Sequence, residues 1–92
     1  MCTYIVQKAA MSGSAKGAEG WFPVSQANVC FDHPNHASYE HALLLDFVNP
    51  DKGVGARVAV ELSPDSAREL VKAIQAAIEV AEAEHAIPQA TT

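Results

Sequence analysis

Apolar and polar residues alternate along two stretches of the chain, residues 24–32 and 56–62. Alternation with a period of two is typical of a strand that buries one of its faces. Residues 41–49 are apolar on both faces, and residues 2–10 carry the β-branched and aromatic residues that strands favour. The pattern therefore predicts four strands, and turn residues at positions 49–53 join the last two into a hairpin.

The segment after the fourth strand predicts a helix. Ser63 supplies a capping hydroxyl, Pro64 suits the first helical position, and Asp65 places a negative charge in the first turn. Apolar residues then recur at three- and four-residue spacings, which makes one apolar stripe about five turns long. The stripe comprises Ala67, Leu70, Val71, Ile74, Ala77, Ile78 and Ala81. We expect the helix to cover residues 64–85 and to leave a short tail at residues 88–92.

The order of the elements predicts a single α+β domain at residues 1–87. In this fold, one long amphipathic C-terminal helix packs on one face of a four-stranded antiparallel sheet. One helix cannot cover both faces, and the strand at residues 41–49 is apolar on both. We therefore expect the second sheet face to pack on another copy of the chain, in a dimer or larger homo-oligomer.

Residues 12–20 contain three glycines and no apolar residue larger than alanine, which favours a mobile loop. The backbone amides of such a loop, together with Lys16, could instead hold an anion, although the sequence lacks the ending of a phosphate-binding loop. Trp21 and Phe22 follow directly. With Lys16 they could form the wall of a ligand pocket, or else they pack in the core or at a subunit interface.

Composition and charge narrow the classes of function. Of the 92 residues, 49% are hydrophobic and 18% are charged, which excludes an intrinsically disordered chain. The length excludes an enzyme with its cleft between two lobes. A net charge of −5 without a basic cluster would repel nucleic acid and anionic membranes. Neither a secretory signal nor a transmembrane stretch is recognisable, so we expect a cytoplasmic protein.

Three of the four histidines, His33, His36 and His41, lie within nine residues. Imidazole is the commonest protein ligand for transition metals. Two ligands on a loop and a third at the next strand would leave a metal position open for water or substrate. The cluster thus predicts a site for a divalent metal, whether zinc, nickel, iron or copper, with Cys2 as a fourth ligand if the first strand pairs nearby. The alternative is that the histidines only decorate an exposed turn.

Two carboxylates could serve catalysis at such a site. Asp46 interrupts an apolar face between Leu44 and Val48, where a charge must be paired, hydrogen-bonded or neutralised by a raised pKa. Glu40 lies within the histidine segment itself. Either could move a proton for a metal-activated water or a polarised substrate carbonyl. The competing interpretation of Asp46 is a structural pair with Arg57 or with a backbone amide of the neighbouring strand.

Two functions therefore stay open, and the sequence does not decide whether the protein is an enzyme. The first is a small oligomeric metal-binding protein that uses the histidine cluster, with water activation or carbonyl polarisation as its chemistry. The second is a metal-free dimer that binds a small apolar ligand or a larger protein through Trp21, Phe22 and the second sheet face.

Several segments together resemble a family of short, uncharacterised bacterial proteins. The resemblance covers nearly the whole chain. Because that family carries no established activity, the resemblance implies no catalytic residues. It rests on residues 1–4, 12–17, 20–24 and 31–41, which include the Met-Cys-Thr-Tyr start and the three histidines of the cluster.

Overall fold

The structure is a computed structural model that describes residues 5–33 and 41–85. Four strands form one sheet in sequence order, and each strand is antiparallel to its neighbours. A single α-helix follows the last strand, so the predicted α+β class is confirmed. The elements are β1 (Ile5–Gly17), β2 (Gly20–Asp32), β3 (Ala42–Val48), a 3₁₀ turn (Pro50–Lys52), β4 (Arg57–Leu62) and α1 (Pro64–Ala83).

The first two strands form a long hairpin that the sequence did not predict. Residues 12–17 belong to β1 rather than to a mobile loop, and only residues 18–19 make the turn. Glycine, serine and alanine are weak strand formers, but pairing with β2 satisfies their backbone groups along the hairpin. A register shift between Ala10 and Gly13 marks an irregularity in this edge strand. The predicted strand positions 2–4 lie outside the described residues.

The strand register assigns the side chains to two faces of the sheet. The face towards α1, here called the helix-side face, is almost wholly apolar, whereas the opposite face carries many polar side chains. The larger apolar surface of the described sheet is therefore on the helix-side face, whereas the sequence had indicated apolar residues on both faces of the strand at residues 41–49. The helix-side face carries Ala27, Val29, Phe31, Leu43, Leu45, Phe47, Val58, Val60 and Leu62, and the opposite face carries Lys8, Gln26, Asn28, Asp46, Arg57 and Glu61.

The core of the described residues is small. Its buried apolar members are Val24, Ala27, Ala42 and Ala56, and no large side chain in the described ranges is fully buried. No residue of α1 is buried, and the helix makes only a few contacts with the sheet, at β3 and β4. The radius of gyration is 15.0 Å, against about 12 Å for a compact domain of this length. The isolated chain thus leaves most of its large apolar side chains in contact with solvent.

Asn49 holds the turn between β3 and β4 against the first hairpin. Its buried side chain donates a hydrogen bond from Nδ2 to the carbonyl of Pro23 at 2.8 Å and accepts one at Oδ1 from the backbone of Asp51 at 3.1 Å. Its backbone N–H donates to the carbonyl of Ala56 at 3.2 Å. One residue therefore caps the 3₁₀ turn and ties it to β2.

The helix begins where the sequence predicts. The Oγ of Ser63 accepts a hydrogen bond from the backbone of Ser66 at 3.1 Å, and Pro64 occupies the first turn. The helix ends at Ala83, and His85 takes a positive φ of 60°, which stops it before the predicted residue 85. In the ranges that the structure describes, no helix combines the length and apolar character needed to cross a bilayer.

Candidate functional site

An apolar groove of about 440 Å³, here called the sheet–helix groove, separates α1 from the helix-side face. Among the described residues that line it, only Arg68 carries a charge or a polar side chain. Two of the wall residues are largely exposed, Val71 at 65% and Ile74 at 54%. The floor comprises Ala27, Val29, Leu43, Leu45 and Phe47, and the wall comprises Ala67, Leu70, Val71 and Ile74.

The groove is open because of the way that α1 leaves the sheet. Only Ser63 separates the end of β4 from the first residue of the helix, so α1 starts at one edge of the sheet. Its apolar stripe is directed towards the groove, and α1 makes only a few contacts with β3 and β4. Burying a side chain the size of leucine or isoleucine contributes about 1.5–3 kcal/mol, so the exposed stripe leaves a large stabilising contribution unrealised in the single chain.

The structure brings two of the three predicted metal ligands together. His33 follows β2 and His41 precedes β3, and the centroids of their rings are 4.6 Å apart, with the rings tilted by 46°. The ring of His41 also stacks on Phe31, with the centroids 5.4 Å apart. Asp32 is buried, and its Oδ1 accepts a hydrogen bond from the backbone of His33 at 2.7 Å and lies 3.3 Å from Nδ1 of that ring.

The other predicted members of the metal site, His36, Cys2 and the catalytic candidate Glu40, lie outside the described residues. Across residues 5–33 and 41–85, no group of three histidine, cysteine, aspartate or glutamate side chains is placed to hold a metal ion. The histidine site is thus described at two positions only, His33 and His41.

Asp46 is not brought together with the histidines. It is five residues from His41, and this odd spacing along a strand places it on the opposite face of the sheet. There both of its carboxylate oxygens accept hydrogen bonds from Arg57, at 2.7 Å and 3.1 Å. These hydrogen bonds raise the pKa of Arg57 above its ordinary value, and the negative charge of the carboxylate raises it further. The structure therefore shows the structural pair that the sequence left open for Asp46.

Trp21 and Phe22 line a separate depression of about 480 Å³ at the tip of the first hairpin. Trp21 is 71% exposed. Lys16 pairs with Trp21 in the strand register, but the cation that lines the depression is Lys52, from the 3₁₀ turn. The sequence missed Lys52 because nothing in its local pattern shows that the turn after β3 approaches the hairpin tip.

The sequence also missed the groove itself, although it identified both of its sides. Leu43, Leu45 and Phe47 lie on one face of β3, and the stripe of α1 has helical spacing. The sequence predicted that the helix packs on one face of the sheet, without assigning which face. No local signal gives the separation between a helix and a sheet, because that separation depends on how the connecting residue directs the chain.

Comparison with known proteins identifies one match. A family model described as a family of unknown function (DUF6295) matches residues 1–87. No curated protein and no solved structure matches the chain. The predicted resemblance to an uncharacterised family is confirmed, and it brings no activity or site residue with it. The chain belongs to the family of unknown function DUF6295.

Proposed function

We propose that this chain is a protein-interaction module that binds an amphipathic helix in the sheet–helix groove. One observation carries the proposal: the floor and the wall of the groove are apolar, the wall is largely exposed, and most of the floor is only half-buried. An amphipathic helix presents apolar side chains at positions i, i+3, i+4 and i+7 to such a groove and keeps its polar face in water. Its binding would remove both exposed apolar surfaces from solvent at once.

The shape and chemistry of the groove favour a helix over a small molecule. Sites for small molecules enclose most of the ligand and carry a few polar groups that orient it. The sheet–helix groove is open along α1, and Arg68 is the one polar side chain among its described lining residues. A small apolar molecule would therefore be neither enclosed nor oriented there.

Binding was also one of the two functions that the sequence left open, but on a different surface of the chain. The sequence placed binding at Trp21, Phe22 and the second sheet face. Polar side chains occupy much of that second face, among them the paired Asp46 and Arg57. Burying such groups in an interface costs free energy unless each finds a new partner, whereas the groove offers apolar surface with one charged side chain.

Replacing Ile74 with lysine in the full chain is expected to abolish helix binding in the groove. A fluorescein-labelled synthetic peptide of residues 63–85 serves as the amphipathic helix, and its fluorescence anisotropy reports binding. Lysine at a groove-wall position forces a charge into an apolar contact, so the affinity should fall by at least about tenfold, or about 1.4 kcal/mol. Because Ile74 is 54% exposed, the variant is expected to fold.

The matched control is Val80→Lys. Val80 lies on the same helix and is 57% exposed, but it does not line the groove. This variant should bind the peptide as the unchanged chain does. Equal loss in both variants, or no saturable binding to a chain that sediments as a monomer, would show that the groove does not bind a helix.

A second candidate function is the binding of a divalent transition metal, and the closeness of His33 and His41 favours it. Their rings are 4.6 Å apart at the two ends of one connection between paired strands. Zinc, nickel, iron and copper all accept imidazole ligands. His36, Cys2 and Glu40 would complete the site, an expectation that rests on the sequence alone. Asp46 has no part in this candidate, because it is paired on the other face.

Equilibrium dialysis against zinc or nickel, followed by metal analysis, tests this second candidate. The unchanged chain should retain a whole-number ratio of metal ions to chains. The double variant His33→Ala, His41→Ala should lose most of the metal because two ligands are removed. His85→Ala, a histidine beyond the end of α1, is the control and should leave the metal content unchanged. Equal metal content in all three proteins would rule the histidine site out.

A further inference from the structure

The chain exposes more surface than a compact monomer of its mass. Its accessible surface is 6955 Å², whereas a folded monomer of 9.7 kDa exposes roughly 5,100 Å². Helix α1, in which no residue is buried, contributes to the difference of roughly 1,800 Å². A standard interface removes only about 800 Å² from each partner, and obligate homodimers remove more. An interface of this size would cover the exposed apolar stripe of α1, which accounts for part of the difference.

A second copy of the chain carries the helix that the groove requires. Leu70, Val71, Ile74 and Ile78 are between 41% and 65% exposed and lie along one side of α1. In a two-fold symmetric pair the same patch serves both partners, so each stripe covers the stripe and the groove of the other chain. One symmetric contact would thereby bury the apolar surface of both chains.

The charges along α1 select the direction of the two helices. The first half of the helix carries two cations, Arg68 and Lys72, and two carboxylates, whereas the second half carries Glu79 and Glu82 without a cation. Antiparallel helices place the uncompensated second half of one copy beside the half of the other copy that carries cations. Parallel helices would place the uncompensated carboxylates of the two copies side by side, which is unfavourable.

The cations are already paired within their own helix, but these pairs do not compete strongly. Arg68 contacts Asp65 at 2.7 Å, and Lys72 contacts Glu69 at 3.2 Å. All four side chains are at least 70% exposed. Exposed pairs of this kind contribute little to stability, so each cation can also interact with a carboxylate of another chain.

We infer that the groove is occupied by α1 of a second copy of this chain and that the two α1 helices run antiparallel about a two-fold axis near Ile74. The inference rests on the proposed function, because it names the helix that the groove binds. It makes the homodimer the functional unit, with each groove completed by the other chain.

Sedimentation equilibrium of the full chain tests the occupant. The unchanged chain should be a dimer, and Ile78→Lys should weaken the association at least about tenfold by placing a charge in the stripe. Val80→Lys, which places the same charge at an exposed position off the stripe, should remain dimeric. Equal dissociation of both variants would place the dimer contact elsewhere and overturn the inference, whereas the labelled peptide decides separately whether the groove binds a helix.

Disulfide trapping tests the direction of the helices. In a background in which Cys2 and Cys30 are replaced by serine, Ala67→Cys and Ala81→Cys place single thiols seven residues on either side of Ile74. Antiparallel helices should cross-link only when the two variants are mixed, because position 67 of one chain then faces position 81 of the other. If each variant cross-linked with itself and the mixture gave no cross-link between the two different variants, the helices would be parallel and the inference would be overturned.

The experiments separate the two proposals. A chain that stays monomeric at every concentration, while the labelled peptide of residues 63–85 still binds and Ile74→Lys abolishes binding, would overturn the second-copy inference and support the groove as a helix-binding site. A dimer that shows the mixed cross-link supports both.

Discussion

Replacing Asn49 with alanine is expected to lower the free energy of unfolding by about 1–3 kcal/mol. The side chain of Asn49 is buried and makes two hydrogen bonds, one to the carbonyl of Pro23 and one from the backbone of Asp51. Alanine leaves both backbone groups without that partner and removes the link between the β3–β4 turn and β2. Urea unfolding followed by far-ultraviolet circular dichroism, at one fixed protein concentration, measures the change.

Two further variants give this prediction its controls. Asn49→Asp keeps an acceptor for the N–H of Asp51 but loses the donor to Pro23 and sets a carboxylate against a carbonyl, so it should be at least as destabilising as alanine. Asn28→Ala removes a half-buried amide that accepts from Gln26 at 2.6 Å, and it should cost less. If Asn49→Asp were as stable as the unchanged chain, the hydrogen bond to Pro23 would carry no stability.

Helix α1 could be predicted from the sequence because its signals are local. The start depends on Ser63 and Pro64, which act within one turn, and the apolar stripe repeats with the period of the helix itself. The end is less well determined. The helix stops at Ala83, and His85 takes a left-handed conformation. Because residues other than glycine rarely adopt this conformation, a histidine does not mark the end of a helix in the sequence.

The first hairpin could not be predicted in full because strand pairing is not local. Residues 12–17 lack the residue types that strands favour, yet residues 13–17 pair with β2 through the backbone groups that face it. In that partner strand Val24 is buried and Phe22 is half-buried, which anchors the hairpin. Local propensity thus underestimates the length of a strand whose neighbour decides its conformation.

For the histidines and Asp46, too, spacing along the chain predicts part of the arrangement, and the register between strands decides the rest. Once the β2–β3 connection is predicted, His33 and His41 must face each other across the ends of two paired strands, as they do. The parity of the spacing between His41 and Asp46 could also have shown that they lie on opposite faces. The choice of Arg57 as the partner of Asp46 needed the register between β3 and β4, which the sequence does not specify.

The midpoint of urea unfolding is expected to rise with protein concentration. The described core contains a few small buried apolar residues. In the single chain most of the stripe is exposed, and most of the floor of the groove is only half-buried. If folding and dimerisation occur together, mass action stabilises the folded state, and a hundredfold increase in concentration should add about 2.7 kcal/mol to the free energy of unfolding. That increment is a large part of the 5–15 kcal/mol that is usual for a domain.

Helix variants connect this concentration dependence to the groove. Ile74→Lys should unfold at a lower urea concentration, because it prevents each chain from covering the other. For the same reason its midpoint should depend much less on protein concentration. Val80→Lys should keep both the midpoint and the dependence of the unchanged chain. The slope of the free energy of unfolding against urea concentration scales with the surface that unfolding exposes. A dimer buries part of the 6955 Å² that the single chain exposes, so its slope should be larger. A midpoint that is constant across the hundredfold range would show that the small core is sufficient and that the chain is stable alone.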